Sequence, residues 1–182
     1  MAHPAGKMQC RYEVQGYSTG TPTASRVVPR IWTTLFTVWG GRTQGNAGTE
    51  FRRGGAVIED GSEIVPLRYR AGIRADHRLL RRRDGTVTTA AIDADDTTLA
   101  LGVALQFDGG NYDFVKIGDE ILRVTAGAGT TTLTVERGAL ETTPASHALG
   151  AAAVRVEKLE IVAVERADEQ ADELVLRVMR NG

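Results

Sequence analysis

The sequence predicts an all-β protein. Three observations lead there. Apolar and polar residues alternate with a period of two over residues 8–15, 158–164 and 173–179, the spacing of a strand with one covered face. Short runs rich in Val, Ile, Leu and Thr recur from residue 86 to residue 136, punctuated by Asp84-Gly85, Asp108-Gly109-Gly110, Gly118-Asp119 and the stretch 126–129. Nothing in the chain reads as a long amphipathic helix.

The totals fit this class. A chain of 182 residues suits one domain, or one domain carrying a smaller insert. Hydrophobic residues make up 42% but aromatics only 5%, so the core is built mainly from Val, Leu, Ile and Ala. A net charge of −1 excludes a generally basic nucleic-acid binder. Cys10 is the sole cysteine, which leaves no intrachain disulfide and no thiolate metal cluster. The chain has no apolar run of 18 residues and no apolar signal segment at its start, so no membrane insertion is expected and the protein is made and used in a cytosol.

In chain order, residues 8–15 place Met8, Cys10, Tyr12 and Val14 on one strand face, with Cys10 as a small core residue. Residues 16–25 read as a loop around Pro22. The run 31–39 (I-W-T-T-L-F-T-V-W) is β-branched and aromatic on both faces and is expected to be central. In a regular strand Trp32 and Trp39 point to opposite faces, being an odd number of positions apart. Residues 40–55 hold six glycines and almost nothing apolar, a long connection that asks for a reason. Residues 64–69 form the next strand, with Leu67 and Tyr69 opposite Arg68 and Arg70. Pro66 makes it an edge or its beginning. Ala71-Gly72 breaks it, and a further segment spans 73–80. The short strands of 86–136 follow and read as a small antiparallel β unit. Residues 151–156 and 158–164 return to strand, 167–171 turn, and 173–179 close the chain.

Charge is unevenly spread. Residues 51–83 hold nine arginines against four carboxylates, and residues 157–173 hold seven carboxylates against two cations. Such polarity suits head-to-tail contact between identical subunits, with Arg68, Arg70, Arg74 and Arg78 facing Glu165, Asp168 and Glu169 of the next copy. If both segments belong to one sheet, the pairing is intramolecular instead.

Several stretches resemble the bacteriophage head–tail joining proteins, also called head-closure or stopper proteins. They are the opening strand 8–15, the Trp32-to-Trp39 segment with its long polar loop, V-P-L-R-Y-R-A-G-I-R-A-D-H-R-L over 65–79, and L-E-I-V-A-V-E-R-A-D-E-Q-A-D-E-L-V-L-R-V over 159–178. In that family a short turn separates the arginine strand from the closing pair; here about seventy residues intervene. They resemble a small β module of phage tail and baseplate proteins, through T-T-A-A-I-D-A-D-D-T-T-L-A-L, I-G-D-E-I-L-R-V-T, T-T-L-T-V-E-R-G and the segment around His147. That pattern carries a glycine where Leu140-Glu141 stands, so the turn after Arg137-Gly138 is built differently. The resemblance thus implies a small β-barrel, 1–84 with 157–182, interrupted by an inserted small antiparallel β domain, 85–156.

The resemblance implies a virion structural protein of the neck, assembled in the host cytoplasm. It would form a homo-oligomeric ring of six copies between a portal or adaptor ring and a tail terminator or tail tube. Genomic DNA would pass through the lumen without sequence recognition, and the 40–55 loop would face it. Arg42, Gln44, Asn46, Arg52 and Arg53 are then candidate channel residues, or else exposed loop residues against neighbouring protein. A tail terminator or a baseplate or hub protein is the alternative role. A third is an oligosaccharide- or nucleic-acid-binding barrel, against which the lack of regularly spaced aromatic platforms counts.

No catalytic constellation is evident, and no cofactor or metal is expected. His77 and His147 lie far apart with few local partners, and Asp93-Ala94-Asp95-Asp96 lacks the glycine and distal glutamate of an EF-hand. Asp119-Glu120 reads as a hairpin turn, and Ser146 lacks a nucleophile-elbow context.

Overall fold

The computed structural model describes residues 9–22, 26, 28–41, 44–45, 51–53, 56–58, 63–68, 72–107, 113–166 and 173–179, and in them the alternating runs become strands joined by turns. Six strands close an antiparallel barrel: β1 (Cys10–Thr19), β2 (Arg30–Gly40), β6 (Glu63–Arg68), β13 (Glu173–Met179), β12 (Ala152–Arg166) and β7 (Arg78–Val87), in that order around the wall. β3 (Gln44–Gly45) adds to β6, while β4 (Phe51–Arg53) and β5 (Ala56–Ile58) pair with each other. Outside the barrel, the segment expected as an insert extends the same sheet from β12 through β9 (Phe114–Ile117), β10 (Glu120–Ala126), β11 (Thr132–Glu136) and β8 (Thr98–Ala100).

Period-two patterning explains which residues meet inside. In β13, Leu174, Leu176 and Val178 are buried and alternate with half-buried neighbours. They pack with Tyr12, Val14, Leu67, Leu79 and Leu159 in the barrel core, and Cys10 lies partly buried against it as expected. Burying each aliphatic side chain contributes roughly 1.5–3 kcal/mol. The Tyr12 hydroxyl donates to the Gly41 carbonyl at 2.9 Å, and burial pushes its pKa up to about 12. A second core, around Leu99, Val115, Leu122 and Leu133, fills the insert. A third joins the two, with Leu80 of β7 and Val156 of β12 against Phe114 and Ile121.

Several sequence expectations change in three dimensions. The opening strand runs on to Thr19, so residues 16–19 belong to a hairpin with β2 rather than to a loop. β2 is not central over most of its length. It pairs fully with β1 but meets β6 only at Gly40 opposite Leu67, and Ile31, Leu35 and Trp39 are exposed. A bulge at Leu35 inserts one residue, so Trp32 pairs with Tyr17 and Trp39 with Arg11. Those partners lie an even number of positions apart on β1, so both tryptophans share a face, contrary to regular alternation.

Asp84-Gly85 is not a turn. Both residues lie inside β7, which begins only at Arg78, and β12 likewise runs unbroken through Val156 and Glu157. β7 and β12 pair from Arg78 opposite Glu160 to Val87 opposite Ala152, so barrel and insert share two continuous strands. Part of the glycine-rich stretch is strand, in β3 and β4. Leu67 is buried and Arg68 exposed, as alternation requires, whereas Tyr69, Arg70, the 59–61 turn and the 167–171 turn lie outside the described residues.

Candidate functional site

Charged side chains buried between strands dominate the polar chemistry. Glu120, at the start of β10 after the Gly118-Asp119 turn, has its carboxylate buried among five donors. Arg137 reaches it twice, from Nε and Nη2, each at 2.8 Å. The Gly138 and Ala145 amides donate at 3.1 Å, and His147 Nε2 lies at 2.8 Å. Burial alone would raise this carboxyl's pKa, but Arg137, His147 and the two amides outweigh it and hold it at about 2. An ionised carboxylate only accepts, so the His147 Nε2 carries the proton in this contact. Arg137 also donates to the carbonyls of Asp93, Asp96 and Ala145, tying the 93–96 turn to the 138–145 segment.

Sequence reading gave His147 few partners and Glu120 only a turn. The available signal was that Glu120, Arg137-Gly138 and His147 all sit in the motif segments of the module. Spacings of 17 and 27 residues hide a contact that pairing of β10 with its neighbours creates.

The second network crosses the β7–β12 ladder. Arg81 and Glu157 sit opposite one another, with Arg81 Nε 2.6 Å from Glu157 Oε2, and Arg83 Nη2 adds contacts at 3.0 and 3.2 Å. Burial pushes Glu157 up, yet Arg81 and Arg83 win and keep its pKa below the usual carboxylate range. At this position the arginine-rich and acidic segments do pair within one sheet of one chain. Glu13 of β1 similarly pairs with Lys116 of the insert and, at 3.7 Å, with Arg82.

A groove of about 540 Å3 opens where the β1–β2 hairpin, the 72–77 connection, β12 and the 139–141 turn meet. Trp32 stacks against Tyr17 with ring centroids 5.2 Å apart, and the Arg78 guanidinium lies 4.1 Å over the Trp32 ring. Arg30 covers Tyr17 at 4.8 Å. Arg78 is only 3% exposed; its Nε donates to Gln15 Oε1 at 2.8 Å and its Nη1 to the Leu140 carbonyl at 3.0 Å. Burial lowers its pKa to about 10, against the pull of Glu141 and Glu160. His77, also buried beside the groove, is lowered by the same desolvation, against Asp76.

The turn forming one wall departs from the glycine pattern as expected. Leu140 (φ 54°) and Glu141 (φ 63°) occupy the left-handed region after Gly138. Each costs on the order of 1–2 kcal/mol relative to glycine. Barrel contacts hold the strained turn: the Arg78 bond to the Leu140 carbonyl and the Trp32 Nε1 bond to Glu141 at 2.5 Å.

The sequence-predicted residues are dispersed. Gln44 lies in β3, Arg52 and Arg53 in β4, and Glu165 near the end of β12. Arg68 is exposed on β6, Arg74 is exposed and pairs with Asp76 at 3.1 Å, and Arg78 lines the groove. Arg42, Asn46, Arg70, Asp168 and Glu169 lie outside the described residues. Among the described residues there is no group of three or more metal-ligating side chains, and no helix long and apolar enough to cross a membrane.

No curated protein and no solved structure matches the chain. A protein family described as phage head completion protein does, over residues 3–136. The match takes in β1–β11 and stops short of the closing strands β12 and β13. It covers more than half of the chain, which folds as a closed barrel with extra strands outside it. The chain therefore belongs to the phage head completion proteins, structural components of head–tail assembly.

Proposed function

We propose that this protein forms a homo-oligomeric ring of six copies at the neck of the virion, between a portal or adaptor ring and a tail terminator or tail tube, with genomic DNA in its lumen. The observation that carries the reading is the head completion family match on a closed six-strand barrel. Next to this segment β2 meets β6 at a single register position, Gly40 opposite Leu67, and β3 adds to β6 at Gln44 and Gly45. In the ring the 40–55 segment faces the lumen, with Arg42, Gln44, Asn46, Arg52 and Arg53 as channel residues and the loop acting as a gate. Tight binding there would slow DNA passage, since each arginine–phosphate contact adds counterion-release affinity. The few channel arginines and the near-neutral chain agree with a lumen that does not grip DNA.

Between copies, Arg68, Arg70, Arg74 and Arg78 face Glu165, Asp168 and Glu169 of the neighbour, setting orientation more than affinity. The 85–156 module stands outside the barrel wall and enlarges contact with neighbouring subunits or with head or tail components. The test is electron microscopy of the intact particle with this subunit located in the density. A ring between portal and tail tube is the expected result. Location at the distal tail tip would replace this reading with a baseplate role, and absence from the particle would end it.

A further inference from the structure

The groove beside Trp32 holds two arginines without an ion pair among the described residues. Its carboxylates are already occupied: Asp76 by Arg74, Glu141 by Trp32, and Glu160 by Lys158 at 2.8 Å. Among the cations Lys158 is spent on Glu160, whereas Arg30 and Arg78 have no ion pair among the described residues. Arg30 is engaged over the Tyr17 ring. Arg78 Nη2 is buried without any hydrogen-bond acceptor, although the other two nitrogens of that guanidinium are satisfied. A buried donor left unmade costs about 1–3 kcal/mol, so this nitrogen calls for an acceptor that the isolated chain does not supply.

The chemistry of that acceptor is constrained. A single carboxylate on an extended peptide matches two arginines, while its neighbouring atoms pack on Trp32 and Tyr17. Residues 165–173 of this same chain carry Glu165, Asp168, Glu169, Asp172 and Glu173 against one cation, Arg166. β12 carries the chain away from its own groove before this segment begins. That strand lines the groove through Ile161 and continues to Arg166, about 17 Å further on at roughly 3.3 Å per residue.

We propose that the groove receives one carboxylate of the acidic 165–173 segment of a neighbouring copy, held by Arg78 and Arg30 and packed on Trp32 and Tyr17. This rests on the ring reading and locates one of its subunit contacts. The insert has a part in it, because the strained Leu140-Glu141 turn forms one wall and holds both Trp32 and Arg78 in place.

The test is a titration of the full chain with a synthetic peptide of residues 163–175, read by tryptophan fluorescence in a Trp39→Phe background so that Trp32 alone reports. A saturable change in emission is expected. Affinity should fall about tenfold or more, a loss of at least ~1.4 kcal/mol, on replacing exposed Arg30 by Glu. A peptide with every Asp and Glu replaced by Asn and Gln should not bind. Arg30→Glu serves as the primary variant because Arg78→Met also strands the Gln15 and Leu140 acceptors; circular dichroism checks that each variant folds. Equal binding of the amide peptide, unchanged binding by Arg30→Glu, or no saturable signal overturns the assignment. So does an equal response to a single-stranded oligonucleotide. Particle microscopy separates the two readings. A neck ring together with a negative titration removes only the groove contact, whereas absence from the neck removes the ring reading whatever the peptide does.

Discussion

Truncating Glu120 to Ala probes the most heavily bonded charge of the insert. The substitution deletes the acceptor of five donors and leaves Arg137, whose side chain is only 6% exposed, without its counterion. Removing one partner of a buried pair costs about 3–5 kcal/mol. For a chain of this size each kcal/mol moves Tm by about 2–4 °C. A fall of roughly 6–20 °C at pH 7 is therefore expected in a circular-dichroism melt.

The pH dependence supplies a second arm. The Glu120 carboxyl has a folded pKa of about 2 against an ordinary 4.5. Its contribution is therefore fully present above pH 4.5 and is lost as pH falls through 2. That shift corresponds to about 3 kcal/mol at 1.36 kcal/mol per pKa unit. Comparing wild type with Glu120→Ala cancels the other carboxylates, so the Tm difference between them should shrink steadily from pH 4.5 to pH 2. A variant within about 2 °C of wild type at pH 7, or a difference that ignores pH, would refute the claim that this carboxylate clamps the insert.

Three further outcomes follow from the same geometry. Glu157→Ala strands Arg81 in the β7–β12 ladder and should cost about 3–5 kcal/mol by urea unfolding, whereas Glu136→Ala, in the exposed pair with Arg123, should cost under about 1 kcal/mol. Gly40→Ala puts a methyl group 2.5 Å from Leu67 Cδ2 and 2.8 Å from both the Pro66 carbonyl and Tyr12 Cε2. At the one register position joining β2 to β6 this should destabilise by about 1–3 kcal/mol, with faster amide exchange along β6. Tyr12 should be the last tyrosine to ionise in an ultraviolet base titration. Its raised pKa means that its contribution holds below pH 10 and disappears as pH climbs through about 12, so a normal titration would show that the phenol is not buried in the barrel core.

Most of the fold class was legible because strand periodicity is a local property. Leu174, Leu176 and Val178 alternate in the sequence and are buried in the barrel for that reason alone. The joining-family resemblance likewise rested on local strings, and the head completion match agrees with it. Local reading failed where one residue changes the geometry of its neighbours. The Leu35 bulge carries both tryptophans to one face, and Asp84-Gly85, a turn signal by composition, is held extended because its strand pairs with β12 on either side, Arg82 opposite Val156 and Gly85 opposite Val154.

The sequence by itself determined the all-β class, the family and the division of charge between an arginine-rich and an acidic region. Only the tertiary structure decided which charges meet. Glu157 finds Arg81 across a ladder, Glu120 gathers Arg137 and His147 from distant turns, and Arg78 turns from a supposed surface strand into the wall of an aromatic groove. The physical reason is that alternation fixes the face a side chain occupies, while register and turn geometry fix its neighbour on that face. Burial then makes that neighbour matter, because a charge removed from water must find its partner within the fold.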